Sequence, residues 1–591
     1  MIAFADLDES NLDEAKPLAR SPSSIRRRLQ VNRRISLAAT AIQLILLAAS
    51  SGAAQSAAAD ARGFHVFNVK DFGAMGDGQT LDTAAISKTV RAASGAGGGR
   101  VLFPPGIYVT GTFELLSNVA LDVQAGAVIQ GSKNLADYGT IAEYGFGRQY
   151  GVNSTGEGDR VGLVVARRAE NIAIVGQGAI DGSGNAFFDF TKPHIGMDFD
   201  PRYTRQGNAF MKSMLDLADG PVETKPAGRP GTMIVCSQCQ NILIRDITLR
   251  NAPNWTLHLA GSARATINGI HIVNNPLLPN NDGIDCIGCK DVHISDCDIS
   301  AGDDAFAFYG SEDVSVTNCS LYSRSSAIRV ENTRYGKFSN LSVHSNRGIG
   351  IYSRGGITAN LVFTDITVET QLYAGHWWGK AEPIFIAIGP AGEGSGPGTI
   401  KDVRFSNIVG EAEAGIILAG DATSSIRNLY LDQIKLRIRA PRKTVGEEAG
   451  GNFDFRWTAA SPATAIFKHD IAALYCRNVE GLNLRGFQLE WANEIPEYFS
   501  NAIECEDFKN LEIEAFAGRQ ASASSADPVI ALRRGQGVSI RGCRAEEGSS
   551  TFVSLSDVEK QGFFANNDLR NSQRPFASKK VGFLMVDNLL P

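Results

Sequence analysis

Cys289–Ser323 reads CKDVHISDCDISAGDDAFAFYGSEDVSVTNCSLYS. Two runs inside it, DVHISDCDIS from Asp291 and DVSVTNCSLYS from Asp313, share one build. Apolar or thiol side chains alternate with polar ones, and Asp, Asn, Gly or Ser punctuates the ends. Alternation at period two marks a strand with one buried face. Further copies are NILIRDITLRN from Asn241, LVFTDITV from Leu361, VRFSNIVG from Val403, LYLDQIKL from Leu429 and LNLRGFQL from Leu482. Weaker ones, LEIEAF and VSIRGC, follow at Leu511 and Val538. Tracking one apolar position through Ile247, Ile270, Cys297, Cys319, Leu341 and Ile366 gives steps of 23, 27, 22, 22 and 25 residues.

A unit of two short strands cannot bury its own apolar face, so copies must stack into a solenoid with a continuous core. The leucine-rich signature is missing, and so is the 3.6 periodicity that helical repeats require. The expected fold is all-β: a single-stranded right-handed parallel β-helix. Near its start, Thr80–Ala93 reads as a short helix with Leu81, Ala85, Ile86 and Val90 near one face, placed to cap the open N-terminal end.

The chain has 591 residues, 43% of them apolar, and a net charge of -6. Residues 1–59 read as a leader: a basic stretch, an apolar run from Leu37 to Ala49, then small residues suited to cleavage. That run is too short to span a bilayer comfortably. Arg33-Arg34 leaves the twin-arginine and general export routes both open. The expected organisation is a leader at 1–59 and one β-helix domain at 60–591. The leader has seven basic and five acidic residues, hence +2, so the remainder carries -6 less +2, or -8. That charge argues against a nucleic-acid partner. The expectation is an exported monomer with no membrane contact after cleavage.

Nine cysteines include Cys236-x-x-Cys239 and Cys286-x-x-Cys289. The two pairs are two rungs apart, roughly 10 Å, too far for sulfurs that must each lie about 2.3 Å from one zinc. Cys297 and Cys319, one rung apart, read as stacked thiols, with a disulfide geometrically open.

The chemistry-bearing residues are acids. Asp282 lies in Asn280-Asn281-Asp282-Gly283; Asp303 and Asp304 follow 21 and 22 residues later, after Gly302. That interval is one rung, so the three carboxylates are expected on one wall. Clustered carboxylates raise one another's pKa values, which supplies a protonated acid beside an ionised base at one pH. Glycoside hydrolysis needs that pair. Backbone-bonded turn acids and a calcium site are the alternatives.

The Asn-Asn-Asp-Gly segment followed by Gly-Asp-Asp resembles glycoside hydrolase family 28, the polygalacturonase family, whose pattern is Asn-Thr-Asp-Gly then Gly-Asp-Asp. VKDFGAMGDGQTLDTAAI and VLFPPGIYVTG also resemble that family. The likeness runs over roughly residues 64–440. It implies a parallel β-helix and inverting hydrolysis of pectic or related polysaccharides or oligosaccharides without a cofactor or metal. Asp303 would act as general acid, with Asp282 and Asp304 positioning water. The family's Gly-His-Gly rung is here SSAIRVEN, with Ser326 at the His position. Its Arg-Ile-Lys, which holds a uronate carboxylate, is replaced by Gly350 and Tyr352 within RGIGIYSRGG. Arg329, Arg347 and Arg354 offer a carboxylate new positions, although Arg329 alternatively pairs with Glu331. Asn280, Ser326, Arg329 and Arg354 are therefore substrate-binding candidates. So are His376, Trp377, Trp378 and Lys380, in a long Gly-flanked loop that offers aromatic rings for a sugar face. The alternative for that loop is a cover over the solenoid's flank. Rival functions are a calcium-dependent lyase on the same fold and a non-catalytic carbohydrate-binding solenoid.

Overall fold

The repeat register read from the sequence is the register of the solenoid. This computed structural model describes residues 65–145, 158–196, 199–389, 396–456, 465–522, 525–560, 562–578 and 583–591; the expected leader lies outside them. Cys319, Leu341 and Ile366 are direct partners on successive parallel strands. Phe338, Phe363 and Phe405 form an internal column with ring centroids 4.6 and 4.8 Å apart and planes within 10° of parallel. Those separations are the inter-strand spacing itself. The fold is a right-handed parallel β-helix, and residues 66–591 form one compact unit.

The punctuating residues have a physical reason. Asn171, Asn241, Asp291, Asp313, Asp402 and Asn428 open six of the copies, and each has φ between 54° and 60°. A left-handed backbone disfavours most L-residues but suits Asn, Asp and Gly. Stacking also lets their side chains pair between rungs, as Asn241 Nδ2 does by donating to Asn171 Oδ1 at 2.9 Å.

Seven parallel strands of one sheet matter for the site: β1 (Ile234–Ser237), β2 (Leu257–Ala260), β3 (Ile284–Ile287), β4 (Phe306–Tyr309), β5 (Ser326–Glu331), β6 (Arg347–Arg354) and β7 (Ile384–Gly389). They pair in that order. Facing outward on one column are His258, Asp285, Ala307, Arg329, Gly350 and Phe385.

The capping helix α1 spans Thr83–Gly95 and buries Ile86, Thr89, Val90 and Ala93 against the first strands. Leu81, expected on its buried face, instead ends a short strand and is 48% exposed. The helix starts late because Asp82 holds the preceding turn, accepting from the backbone N–H groups of Met75 and Gly76 at 2.7 and 3.0 Å.

Three excursions leave the rungs and interlock. The first contains a hairpin of Phe188–Pro193 with Val222–Thr224 and the short helix Phe210–Met214. The second is Gln371–Pro383, and the third holds the hairpin of Asn452–Asp454 with Ile466–Lys468. Asp219 ties them together: it accepts from Arg324 and Arg442, and its carbonyl accepts from Trp377 Nε1 at 2.7 Å. All nine cysteines are buried free thiols, so the Cys297–Cys319 disulfide left open by the sequence is not formed. No described helix is long and apolar enough to cross a membrane.

Candidate active site

Asp282 stands two residues before β3, and Asp303 and Asp304 lie just before β4. Stacking of these two rungs brings all three carboxylates together, with one oxygen of each within 4.8 Å of the others. Among the described residues this is the one set of three or more Asp, Glu, His or Cys side chains close enough to share a cation. All three acids are buried, Asp303 least so at 7% exposure.

Their backbone is clamped by Asn281. Its Oδ1 accepts from the N–H groups of Gly302 and Asp303 at 2.7 and 3.3 Å, while its Nδ2 donates to Asn275 O at 2.7 Å. One fully buried amide thus fixes the turn of one rung to the turn of the next. Gly302 has no room for a side chain, since a Cβ there would lie 2.5 Å from Leu278 O. Asn280 is locked from outside. The Arg229 guanidinium donates to Pro253 O, Pro279 O and Asn280 Oδ1 at 2.9, 2.7 and 3.0 Å, while Asn280 N donates to Asp303 Oδ2 at 3.3 Å. Ser326 N donates to Asp304 Oδ1 at 3.1 Å.

A fourth acid joins the wall. Asp285 is fully buried one position into β3, and neither of its oxygens has a hydrogen-bond partner; nor does Asp282 Oδ1. Burial, then repulsion from Asp303, Asp285 and Asp304, holds the Asp282 carboxyl well above the usual range. Burial and repulsion from Asp304 and Asp303 do the same to Asp285. Asp304 is pushed to about 6 by burial and Asp303, with Arg329 and Ser326 pulling the other way. Asp282, Asp285 and Asp304 therefore hold their protons to higher pH than free carboxyls do, as clustered carboxylates must.

Arg329 is the nearest cation. Its Nη1 lies 3.7 Å from Asp304 and its Nη2 3.2 Å from Glu331. The guanidinium sits between the rings of Tyr309 and Tyr352, at 5.2 and 5.0 Å. Arg329 thus takes the partner left open in the sequence, Glu331. Arg354 Nε donates to the same carboxylate at 2.7 Å, with its side chain partly exposed.

The aromatic loop has protein partners too. His376 packs its ring 4.4 Å from Phe199, and burial, with Arg456 next, pulls its pKa down to about 3. Trp377 is buried; half-buried Trp378 stacks on the Arg456 guanidinium at 4.1 Å. Lys380 points its amine at the Phe210 ring, 5.8 Å away, and burial lowers its pKa to about 8. Below the loop, Arg347 bonds Glu382 through Nε and Nη2 at 3.3 and 3.2 Å and donates to Tyr352 Oη at 2.6 Å.

Sequence reasoning passed over Asp285, Asn281, Arg229, Tyr309 and the burial of Arg347. Asp285 alone carried a signal: it is the outward residue of an alternating strand, three positions after Asp282.

Residues 206–324, which include all three paired-rung acids, match the family model described as glycosyl hydrolases family 28. Residues 66–187 match one described as rhamnogalacturonase A/epimerase, pectate lyase-like. The chain is 29% identical over 240 residues to a probable polygalacturonase of Vitis vinifera, spanning 39% of this chain and 42% of that one. It is 31% identical over 232 residues to an exo-poly-alpha-D-galacturonosidase of Dickeya chrysanthemi, spanning 37% and 38%. The matches thus span about two fifths of these relatives' length. Among solved structures, a family 28 exopolygalacturonase of Yersinia enterocolitica superposes with a TM-score of 0.51 at 17% identity, covering 76% of this chain and 79% of that one. That likeness is one of fold. The resemblance to family 28 carried by the Asn-Asn-Asp-Gly and Gly-Asp-Asp segments stands, and it is centred on the acid wall.

Proposed function

We propose, from a family 28 likeness that takes in every acid of the paired rungs, that this protein is an exported glycoside hydrolase acting on pectic or related plant polysaccharides or oligosaccharides. The observation that carries the proposal is the convergence of Asp282, Asp303 and Asp304 within 4.8 Å in a buried wall. A merely structural set of turn acids has no use for such repulsion, whereas acid–base catalysis does.

Asp303, the most exposed of the three, protonates the departing sugar oxygen. Asp304 and Asp282 hold the attacking water. Two hydrogen bonds of about 2.7 Å span up to about 5.4 Å, so one water bridges carboxylate oxygens at this separation and attacks from the face opposite the acid. Arg329 favours the ionised form of Asp304, which must accept the water's proton. Inversion rests on the family resemblance, since a spacing this short is nearer that of retaining pairs. Proton NMR of the first product decides: inversion gives the anomer opposite to the substrate linkage, and retention would assign one Asp as nucleophile. Asn280 and Ser326 shape the wall, and Arg354 and Trp378, both partly exposed, contact sugar hydroxyls and rings. His376, Trp377 and Lys380 shape the covering loop. No cofactor enters this scheme.

One observation favours a second reading. Three carboxylates this close also suit a divalent cation, as a calcium-dependent lyase requires. Assays on a panel of pectic fragments separate the two. Hydrolysis releases reducing ends with no new near-ultraviolet absorbance and withstands a chelator. Absorbing products whose formation a chelator abolishes would establish the lyase instead.

A further inference from the structure

An ionised carboxylate entering a buried polar site needs a cation, or several N–H donors, not already engaged. The guanidinium cations on the β5–β6 side of the acids are each matched by the protein's own acids. Arg329 lies between Asp304 and Glu331, and Arg354 shares Glu331. Arg347 spends its donors on Glu382, Tyr352 Oη and Asp454 O, and Arg456 is forked on Asp454 at 2.9 and 3.0 Å. Lys380 is buried in the loop layer against Phe210. The outward position at Gly350 is filled as well. A Cβ there would lie 2.8 Å from the Tyr352 ring, and that ring is pinned through its hydroxyl by Arg347. Facing this side are Asp282, Asp285, Asp303, Asp304 and Glu331, five acids against Arg329 and Arg354.

We infer that the sugar unit seated on the β5–β6 side of the acid wall carries no free carboxylate: the site takes a neutral unit there, either a neutral sugar or an esterified uronate. Sugar hydroxyls are donors that the surrounding carboxylates accept. The inference rests on the hydrolase reading of the same acids.

The test uses one set of pectic oligosaccharides in three forms: free acid, methyl ester, and carboxyl-reduced to the primary alcohol. The expected result is a kcat/KM for the ester or reduced form that exceeds the free acid's by about tenfold or more. Equal or faster cleavage of the free acid overturns the inference and leaves the hydrolase reading standing. Glu331→Gln removes the shared counter-charge of Arg329 and Arg354, so it should shift the preference several-fold toward the free acid; an unchanged ratio contradicts the inference. Calorimetric binding of the free-acid and reduced forms to Asp303→Asn keeps the two readings apart. Tighter binding of the reduced form supports the inference even if no form is cleaved, an outcome that would sink hydrolysis. Tighter binding of the free acid, or binding of neither, overturns it.

Discussion

Asp285 and Asp454 are both fully buried aspartates within the same protein, and their surroundings move them in opposite directions. Burial alone raises both. At Asp285 the neighbours add to it, because Asp304 and Asp303 are like charges. At Asp454 the neighbours outweigh it: Arg456, Arg347 and Lys380 hold the carboxyl well below the usual range. The loop layer around Asp454 is a charge-balanced network that ties Trp378, Gly379, Glu382 and Arg347 into one piece. The acid wall is unbalanced. A protein gains nothing in stability by crowding four carboxylates against one guanidinium, so the imbalance points to chemistry and the balance to scaffold.

The largest expected effect breaks the wall. Asp304→Asn should lower kcat by about 10²–10⁴-fold, with the circular-dichroism spectrum and melting profile of the parent. Breaking the balanced side should do the reverse. Arg347→Ala strands Glu382 in a dry interior and should cost about 3–5 kcal/mol of stability, read by denaturant titration, and kcat should fall only as far as the loop loosens.

A smaller effect sharpens the contrast through pH. A carboxyl whose folded pKa is raised contributes stability that is full below about 3.8, its unfolded value, and is lost as pH rises through the folded value. Asp285→Asn escapes that loss. Its stability relative to the parent should be near zero below pH 4 and grow as pH rises from there. An Asp454→Asn variant should show the opposite trend, losing most against the parent at neutral pH. The acid limb of kcat/KM should fall near pH 6, where Asp304 takes up a proton and ceases to accept one from water. The smallest effect is Ser326→Ala. The hydroxyl's hydrogen bond to Asp304 is lost while the backbone one remains, so that limb should move upward with a loss in kcat of no more than about threefold.

How far each region was legible follows from how local its causes are. The rungs were legible because a left-handed Asn or Asp and alternating apolar residues recur at most turns, so copy after copy repeats the evidence. The acid wall was legible because Asp282 and Asp303-Asp304 are one rung apart, an interval that the repeat itself translates into proximity. Asp285 was readable from the same alternation and passed over. Arg229 was not readable: it reaches Asn280 from 51 residues away out of an excursion with no period. The balanced network joins Arg347, Glu382 and Asp454 across 107 residues, and Arg347 looks no different in sequence from the solvated arginines of other rungs. The aromatic loop shows the same limit. Two adjacent tryptophans announce a role, but only the fold shows Trp377 turned inward onto Asp219 and Trp378 on Arg456.

The most direct test of the central claim is reducing-end release by Asp303→Asn, measured beside sugar binding by the same variant. If the convergent acids carry out hydrolysis, turnover of a pectic fragment that the parent cleaves should drop by about 10²–10⁴-fold while affinity and folding stay as they were. Turnover at the parental rate would contradict the account.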